Sequence, residues 1–194
     1  MTVPPQNSPP LLPLFLRVAG RKVVLVGGGP VAVGKHAALR AAQARITVVA
    51  PAVEPALRCD GTELIERPFV PADLDGAWLV VAAAPPEVNR AVLAAAEERR
   101  LFVNAVDDPG AATAYAGGVV RRGPVTLAIS TGGEAPALAG LLREGLEAIL
   151  PEDLEDWLAT ARAVRPAWRE AAVKMTDRRP LLLEALNRLY EGRR

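Results

Sequence analysis

The chain has 194 residues, enough for one large domain or two small ones, and its 51% hydrophobic and 23% charged residues are ordinary for an α/β protein. A formal net charge of +1 gives no global attraction to nucleic acid or to a membrane surface, so any anionic ligand has to be met by local groups. A single cysteine, Cys59, and a single histidine, His36, exclude an internal disulfide, a multi-cysteine metal site and any site built on two imidazoles, so no metal-ligand set is expected.

Residues 1–10, MTVPPQNSPP, are proline-rich and polar and are expected to form a disordered leader. Leu11 to Leu16 is apolar but short and interrupted by Pro13; neither it nor any later stretch has the length of a secretory core or a span, which points to a cytoplasmic protein. Val23 to Val26 reads as a buried parallel strand that stops in three glycines, Gly27, Gly28 and Gly29. The pattern G-x-G-x-x-A follows as Gly27, Gly29 and Ala32, and a helix is predicted from Val31 to Gln43. Gly27 can turn the chain, Gly29 lets the backbone approach a pyrophosphate, and Ala32 lets the helix pack closely on the strand. The helix N-terminus offers free N–H groups to an anion, and Pro30 stands where a missing N–H costs nothing. Strand, glycines and helix in that order predict a nucleotide-binding site.

Ile46 to Ala50 is the second predicted strand. It runs into Pro51 and Ala52 without the acid that usually holds an adenosine ribose, and Glu54 comes late. No Lys or Arg between Pro51 and Leu57 is placed to receive a 2′-phosphate, which favours NAD over NADP with the ribose held mainly by backbone. Further strands are expected at Thr62 to Glu66, Ala77 to Ala83 and Leu101 to Val106, with a helix over Glu87 to Arg100. Strands alternating with helices at this spacing predict a doubly wound, mostly parallel sheet. Asp107 falls just beyond the strand Leu101 to Val106, at the carboxyl edge where ligands of such sheets collect, and could accept a proton during hydride transfer. It could equally be an ordinary residue of the Asp107-Asp108-Pro109-Gly110 turn.

The pattern then changes. Gly117 to Arg122 and Pro124 to Ser130 read as a β-hairpin, and a helix is expected from Ala137 to Leu150. Beyond Pro151 the chain reads as helices broken near Pro166 and Pro180. Ser130 to Pro136, including Thr131, could cradle an anion ahead of the helix, or could simply cap it. Arg121 and Arg122 could meet substrate carboxylates or merely decorate the hairpin end. The expected divisions are a nucleotide-binding domain over 1–113, a dimerisation region over 114–150 and a helical domain over 151–194. The middle region is too small to bury a core alone, so a homodimer interface is its natural role.

Taken together, LPLFLRVAGRKVVLVGGGPVA at 12–32, ITVVAP at 46–51, WLVVAAA at 78–84, LFVNAVDDP at 101–109 and RRGPVTLAISTGGEAPALAGLLRE at 121–144 resemble the precorrin-2 dehydrogenase/sirohydrochlorin ferrochelatase family. That family includes stand-alone enzymes and the N-terminal region of sirohaem synthase. The resemblance implies a Rossmann domain, a dimerisation region and a small helical domain in a homodimer. It also implies NAD-dependent oxidation of the tetrapyrrole precorrin-2 to sirohydrochlorin. Some members also insert ferrous iron, and the sequence does not choose between the two kinds. The family's key aspartate, a proposed base, falls on Asp107. Its cofactor contacts fall on Gly28, Gly29, Pro30 and Val31, on Pro51 and Ala52, on Ala83 and Ala84, and on Asn104 to Val106. The chain departs from the family pattern at Gly34, Ala114 and Gly117, and Thr131 stands where some bifunctional members have serine. A reading of a different class, a non-catalytic NAD-sensing regulatory module, explains the glycine loop but not NAVDDP and ISTGGEAP together.

Overall fold

A computed structural model describes residues 10–191, so residues 1–9 of the expected leader lie outside the described residues. The chain forms two compact units. The first runs through Ala116 and takes in Gly132–Ala135; the second comprises Gly117–Thr131 and the chain from Pro136 onward.

The first unit is a five-stranded parallel sheet built from β1 (Lys22–Val26), β2 (Arg45–Val49), β3 (Thr62–Ile65), β4 (Leu79–Ala82) and β5 (Phe102–Ala105). The strand order is β3-β2-β1-β4-β5, which puts the topological switch between β1 and β4. Helix α1 (Pro30–Ala41) connects β1 to β2, and α2 (Pro86–Glu98) connects β4 to β5. The link from β3 to β4 has no α-helix and uses a 3₁₀ turn at Pro71–Leu74.

The apolar runs of the strands have a direct cause: both faces of the sheet are covered. Val23 and Leu25 join Ile46, Val48 and Ala32 of α1 in one core, while Val24 and Val26 join Val80, Val103 and Val92 of α2 in the other. Each fully buried valine of this kind contributes roughly 1.5–3 kcal/mol to stability. His36 belongs to the first of these layers. It is buried, its Nε2 lies 2.8 Å from Thr62 Oγ1 and 3.9 Å from Cys59 Sγ, and burial, then the charge of Arg40, holds its pKa below the ordinary value.

α1 and α2 end on left-handed residues that are not glycine, Gln43 (φ 58°) and Arg100 (φ 57°). Each end carries the paired bonds of a Schellman motif. Gln43 N–H donates to Arg40 O and Ala44 N–H to Leu39 O, while Arg100 N–H donates to Glu97 O and Leu101 N–H to Ala96 O.

The turn at Pro71–Leu74 is fastened by one buried carboxylate. Asp73 accepts two bonds from Arg67, at 2.5 and 2.9 Å, and one from the backbone N–H of Val70 at 2.8 Å. The Arg67 hydrogen bond, aided by the Val70 amide and the charges of Arg67 and Lys22, outweighs burial and lowers the Asp73 pKa. A carboxyl whose pKa is lower folded than unfolded stabilises the fold above its unfolded pKa, and that stability is lost as pH falls through the folded value. Asp73→Asn should therefore lose about 1–3 kcal/mol at neutral pH. Its stability should also decline less than the wild type's as pH drops below the carboxylate range. Denaturant melts at a series of acid pH values check this; parallel curves for the two proteins would refute it.

In the second unit, β6 (Gly118–Arg122) and β7 (Val125–Ile129) form an antiparallel hairpin closed by Gly123 and Pro124, with Gly123 at φ 51°. Helix α3 (Pro136–Ile149) packs so closely on β6 that a Cβ on Gly118 would lie 2.9 Å from Ala139 O. α4 (Leu154–Glu170) and α5 (Met175–Glu191) pair through Tyr190, whose hydroxyl accepts from Trp157 Nε1 at 2.5 Å and donates to Asp153 at 2.9 Å. The breaks expected at Pro166 and Pro180 are absent, since both prolines sit inside continuous helices. Each proline removes one i→i−4 bond, and the chain turns instead at Ala172 (φ 51°), after a third Schellman end. Among the described residues, no helix is long and apolar enough to cross a membrane.

Candidate cofactor and active site

β1 delivers the chain to the carboxyl edge of the sheet, where Gly27 turns it with φ 126°. A Cβ on Gly27 would lie 2.2 Å from Ala83 O, and one on Gly28 would lie 1.9 Å from Ala52 O. The turn is thus wedged between the ends of β4 and β2, and only glycine fits at either position. It is pinned there by Gly27 N–H to Val49 O at 3.0 Å and Glu54 N–H to Gly28 O at 2.8 Å. Gly29 differs: nothing lies within 4 Å of the Cβ position, so its open side faces whatever occupies the site. Gly29 is the extended N-cap of α1 and makes no side-chain cap, and Pro30 takes the first helical position. The first-turn N–H groups of α1 therefore point outward as donors beside this opening.

A cavity of about 750 Å³ adjoins this turn. Its walls are Val26 to Gly29, Val49 to Ala52, Pro68 and Phe69, Ala83 to Pro85, and Glu87, Val88 and Ala91 of α2. It thus gathers Gly27, Gly28, Gly29, Pro51, Ala52, Ala83 and Ala84 from the residues expected at the cofactor. Pro30, Val31, Asn104 and Val106 lie outside this lining; Pro30 and Val31 are exposed on the first turn of α1. Size and chemistry suit a dinucleotide: an apolar cleft with a glycine turn and a helix N-terminus for the pyrophosphate. No acid stands at the end of β2, and Glu87 is the one ionisable side chain in the lining among the described residues.

Several of these wall residues were not legible in the sequence. Phe69 follows β3 in a stretch without periodicity. Val88 and Ala91 read only as helix. A further missed residue, Asn89, is buried on α2 and accepts the Ala84 N–H through Oδ1 at 3.2 Å, holding the end of β4. Its signal was available: Asn89 shares the apolar face of Val92 and Ala96, where a polar side chain needs a partner.

Asp107 lies two residues past β5, as Ala84 lies two past β4. The ladder pairs Ala82 with Ala105, and Val106 N–H continues it to Ala82 O at 2.8 Å. Asp107 therefore follows directly on the last residue bonded to β4, at the carboxyl edge of the sheet where Ala83 and Ala84 line the cavity. Its side chain is exposed and its backbone is left-handed, at φ 55°. Ala111, in the 3₁₀ turn Pro109–Ala111, is buried and anchors the far side of this loop. The Gly132–Ala135 turn rests on the same loop: a Cβ on Gly133 would lie 3.2 Å from Pro109 and 3.4 Å from Tyr115. In the second unit Arg122 donates to Glu147 O at 3.0 Å, whereas Arg121 is exposed on β6 and Thr131 is half-buried after β7.

Comparison with known proteins agrees with this geometry. Residues 14–118 match the family model described as "Putative NAD(P)-binding", and residues 122–149 match that of the sirohaem biosynthesis protein central segment. Siroheme synthase 1 of Aeromonas salmonicida is 44% identical over 173 residues, 87% of this chain and 37% of that protein. The siroheme synthase of Zymomonas mobilis is 38% identical over 184 residues, 92% of this chain and 39% of that protein. The chain thus spans less than two fifths of the length of these curated relatives. Among solved structures, that of SirC, a precorrin-2 dehydrogenase, shares the fold with a TM-score of 0.67 at 23% identity, covering 90% of this chain and 88% of that one.

Proposed function

Since the chain belongs to the NAD(P)-binding family of sirohaem biosynthesis, we propose that it is an NAD-dependent dehydrogenase that oxidises precorrin-2 to sirohydrochlorin. The observation that carries this reading is an exposed carboxylate, Asp107, just past the carboxyl end of β5, beside the strand whose own end lines a dinucleotide-sized cavity. The glycine turn and the first turn of α1 hold the pyrophosphate through backbone N–H groups. Phe69, Val88 and Ala91 offer an apolar wall to the adenine end, and Ala83 and Ala84 lead towards Asp107. NAD supplies, when bound, two-electron oxidation by accepting a hydride. Asp107 takes the proton that the substrate gives up in the same oxidation, as a general base. The Pro51 and Ala52 end of β2 offers no cation to a 2′-phosphate, which supports NAD over NADP. Arg121 and Thr131 stay candidates for the carboxylates of the tetrapyrrole; Arg122 is the weaker one, because it already donates to Glu147 O.

The same reading makes the protein a cytoplasmic homodimer associating through residues 114–150. Leu138, Leu141, Leu142 and Ile149 of α3 are exposed, an apolar surface that a second copy would cover.

The test is an anaerobic assay with enzymatically generated precorrin-2 and NAD, following NADH and the sirohydrochlorin spectrum, with ferrous ion added afterwards against a no-protein control. NADH appearing with sirohydrochlorin supports the dehydrogenase. NAD binding without turnover would refute it in favour of a sensing module, and protein-dependent iron insertion would add the second activity.

A further inference from the structure

β5 is the last strand of the sheet, and Val103 would present an unpaired N–H and C=O on its outer side. Both are taken by the far end of the Asp107 loop. Val103 N–H donates to Thr113 Oγ1 at 2.8 Å, and Val103 O accepts the N–H groups of Thr113 and Ala114, each at 2.9 Å. One residue further along, Asn104 Nδ2 donates to Ala114 O at 2.9 Å. Four hydrogen bonds thus close the neck of a compact loop whose ends meet, an Ω-loop by shape. Inside it, Ala111 N–H donates to Asp108 O at 3.0 Å, Tyr115 Oη donates to Pro109 O at 3.3 Å, and Ala111 is packed in the core.

Asp107 is the left-handed residue of this loop. Such a conformation is uncommon for a residue other than glycine, least so for Asn and Asp, and persists where the surroundings over-determine it. The neck supplies that determination. We infer that Thr113 and Asn104 are positioning residues, which close the loop and hold Asp107 in place at the carboxyl edge of the sheet. Asn104 then serves the site through its bond to Ala114 O rather than by holding the cofactor with its amide. This rests on the reading of Asp107 as the base.

The test compares Thr113→Val, which keeps the shape but removes the acceptor of the Val103 N–H, with Thr113→Ser, which keeps the acceptor. For each full-length protein, kcat, the KM for precorrin-2, the Kd for NAD and hydrogen exchange of the peptide spanning 104–114 are measured. Thr113→Val should lower kcat roughly ten- to a hundredfold. Its Kd for NAD should stay within about twofold, because no wall residue is altered. Exchange in the loop should quicken, and Thr113→Ser should restore both kcat and protection. Faster exchange with an unchanged kcat would overturn the inference while leaving the dehydrogenase reading intact, as would a serine variant that restores neither. Asn104→Ala carries the same comparison if the valine variant does not fold. A wild type that oxidises nothing would overturn both, and the exchange data would then still show whether the neck fixes the loop.

Discussion

Asp107→Asn should bind NAD as the wild type does and oxidise precorrin-2 a hundredfold to ten-thousandfold more slowly, the usual contribution of a general base. Asparagine is the informative replacement. It tolerates the left-handed backbone that Asp107 adopts at φ 55° and keeps the size of the side chain, so only the proton acceptor is removed. Alanine would add a conformational penalty and blur the outcome. Asp107 is not a wall residue of the cavity, which is why affinity for NAD and catalysis should separate. The measurement is kcat beside an independent NAD titration of the same preparation. Equal losses in both would mean that Asp107 shapes the site, and an unchanged kcat would remove it from the chemistry.

The glycine turn should respond to substitution in two different ways. Gly28→Ala places a Cβ 1.9 Å from Ala52 O and 3.0 Å from Ala50 Cβ, so the end of β2 has to move. Such overpacking costs about 1–3 kcal/mol or more, and for a chain of this length 3 kcal/mol lowers Tm by roughly 6–12 °C. Because Ala52 also lines the cavity, NAD binding should be lost as well. Gly27→Ala should be as damaging, with Ala83 O at 2.2 Å and a φ of 126° adding strain. Gly29→Ala meets no protein atom within 4 Å and should leave Tm nearly unchanged while weakening NAD binding. Gly29→Asp, which adds a negative charge beside the pyrophosphate, should abolish it. A Gly29→Ala variant as unstable as Gly28→Ala, or one with normal NAD affinity, would refute this division of roles.

That division also marks what the sequence could tell. The order of strand, glycines and helix is visible because a parallel strand buried on both faces has to be a continuous apolar run, as in Val23 to Val26. Which glycine serves the fold and which serves the ligand depends on Ala52 O and Ala83 O, carbonyls contributed by two other strands that no local pattern announces. Asp107 is legible as a residue at a strand end; the neck that holds it is not, because Thr113 meets Val103, and Asn104 meets Ala114 O, only once β5 is known to be an edge. The prolines at 166 and 180 misled because each removes a single helical bond, and α4 and α5 run on through them. The helix ends at Gln43, Arg100 and Ala172 carry none of the glycine that usually signals such a turn.

The return of Gly132–Ala135 to the first unit has a consequence for how this protein can be divided. A fragment ending at Ala116 would hold every strand of the parallel sheet and still lack the turn that rests on Pro109 and Tyr115, leaving the outer side of the Asp107 loop bare. Conversely, a piece of chain beginning at Gly117 holds the hairpin and the helices but takes the Gly132–Ala135 turn away from the first unit. Recombination between relatives would therefore have to carry the hairpin and the turn after it together with the nucleotide-binding half, and a crossover at the apparent boundary would yield a chimaera whose loop faces a foreign partner.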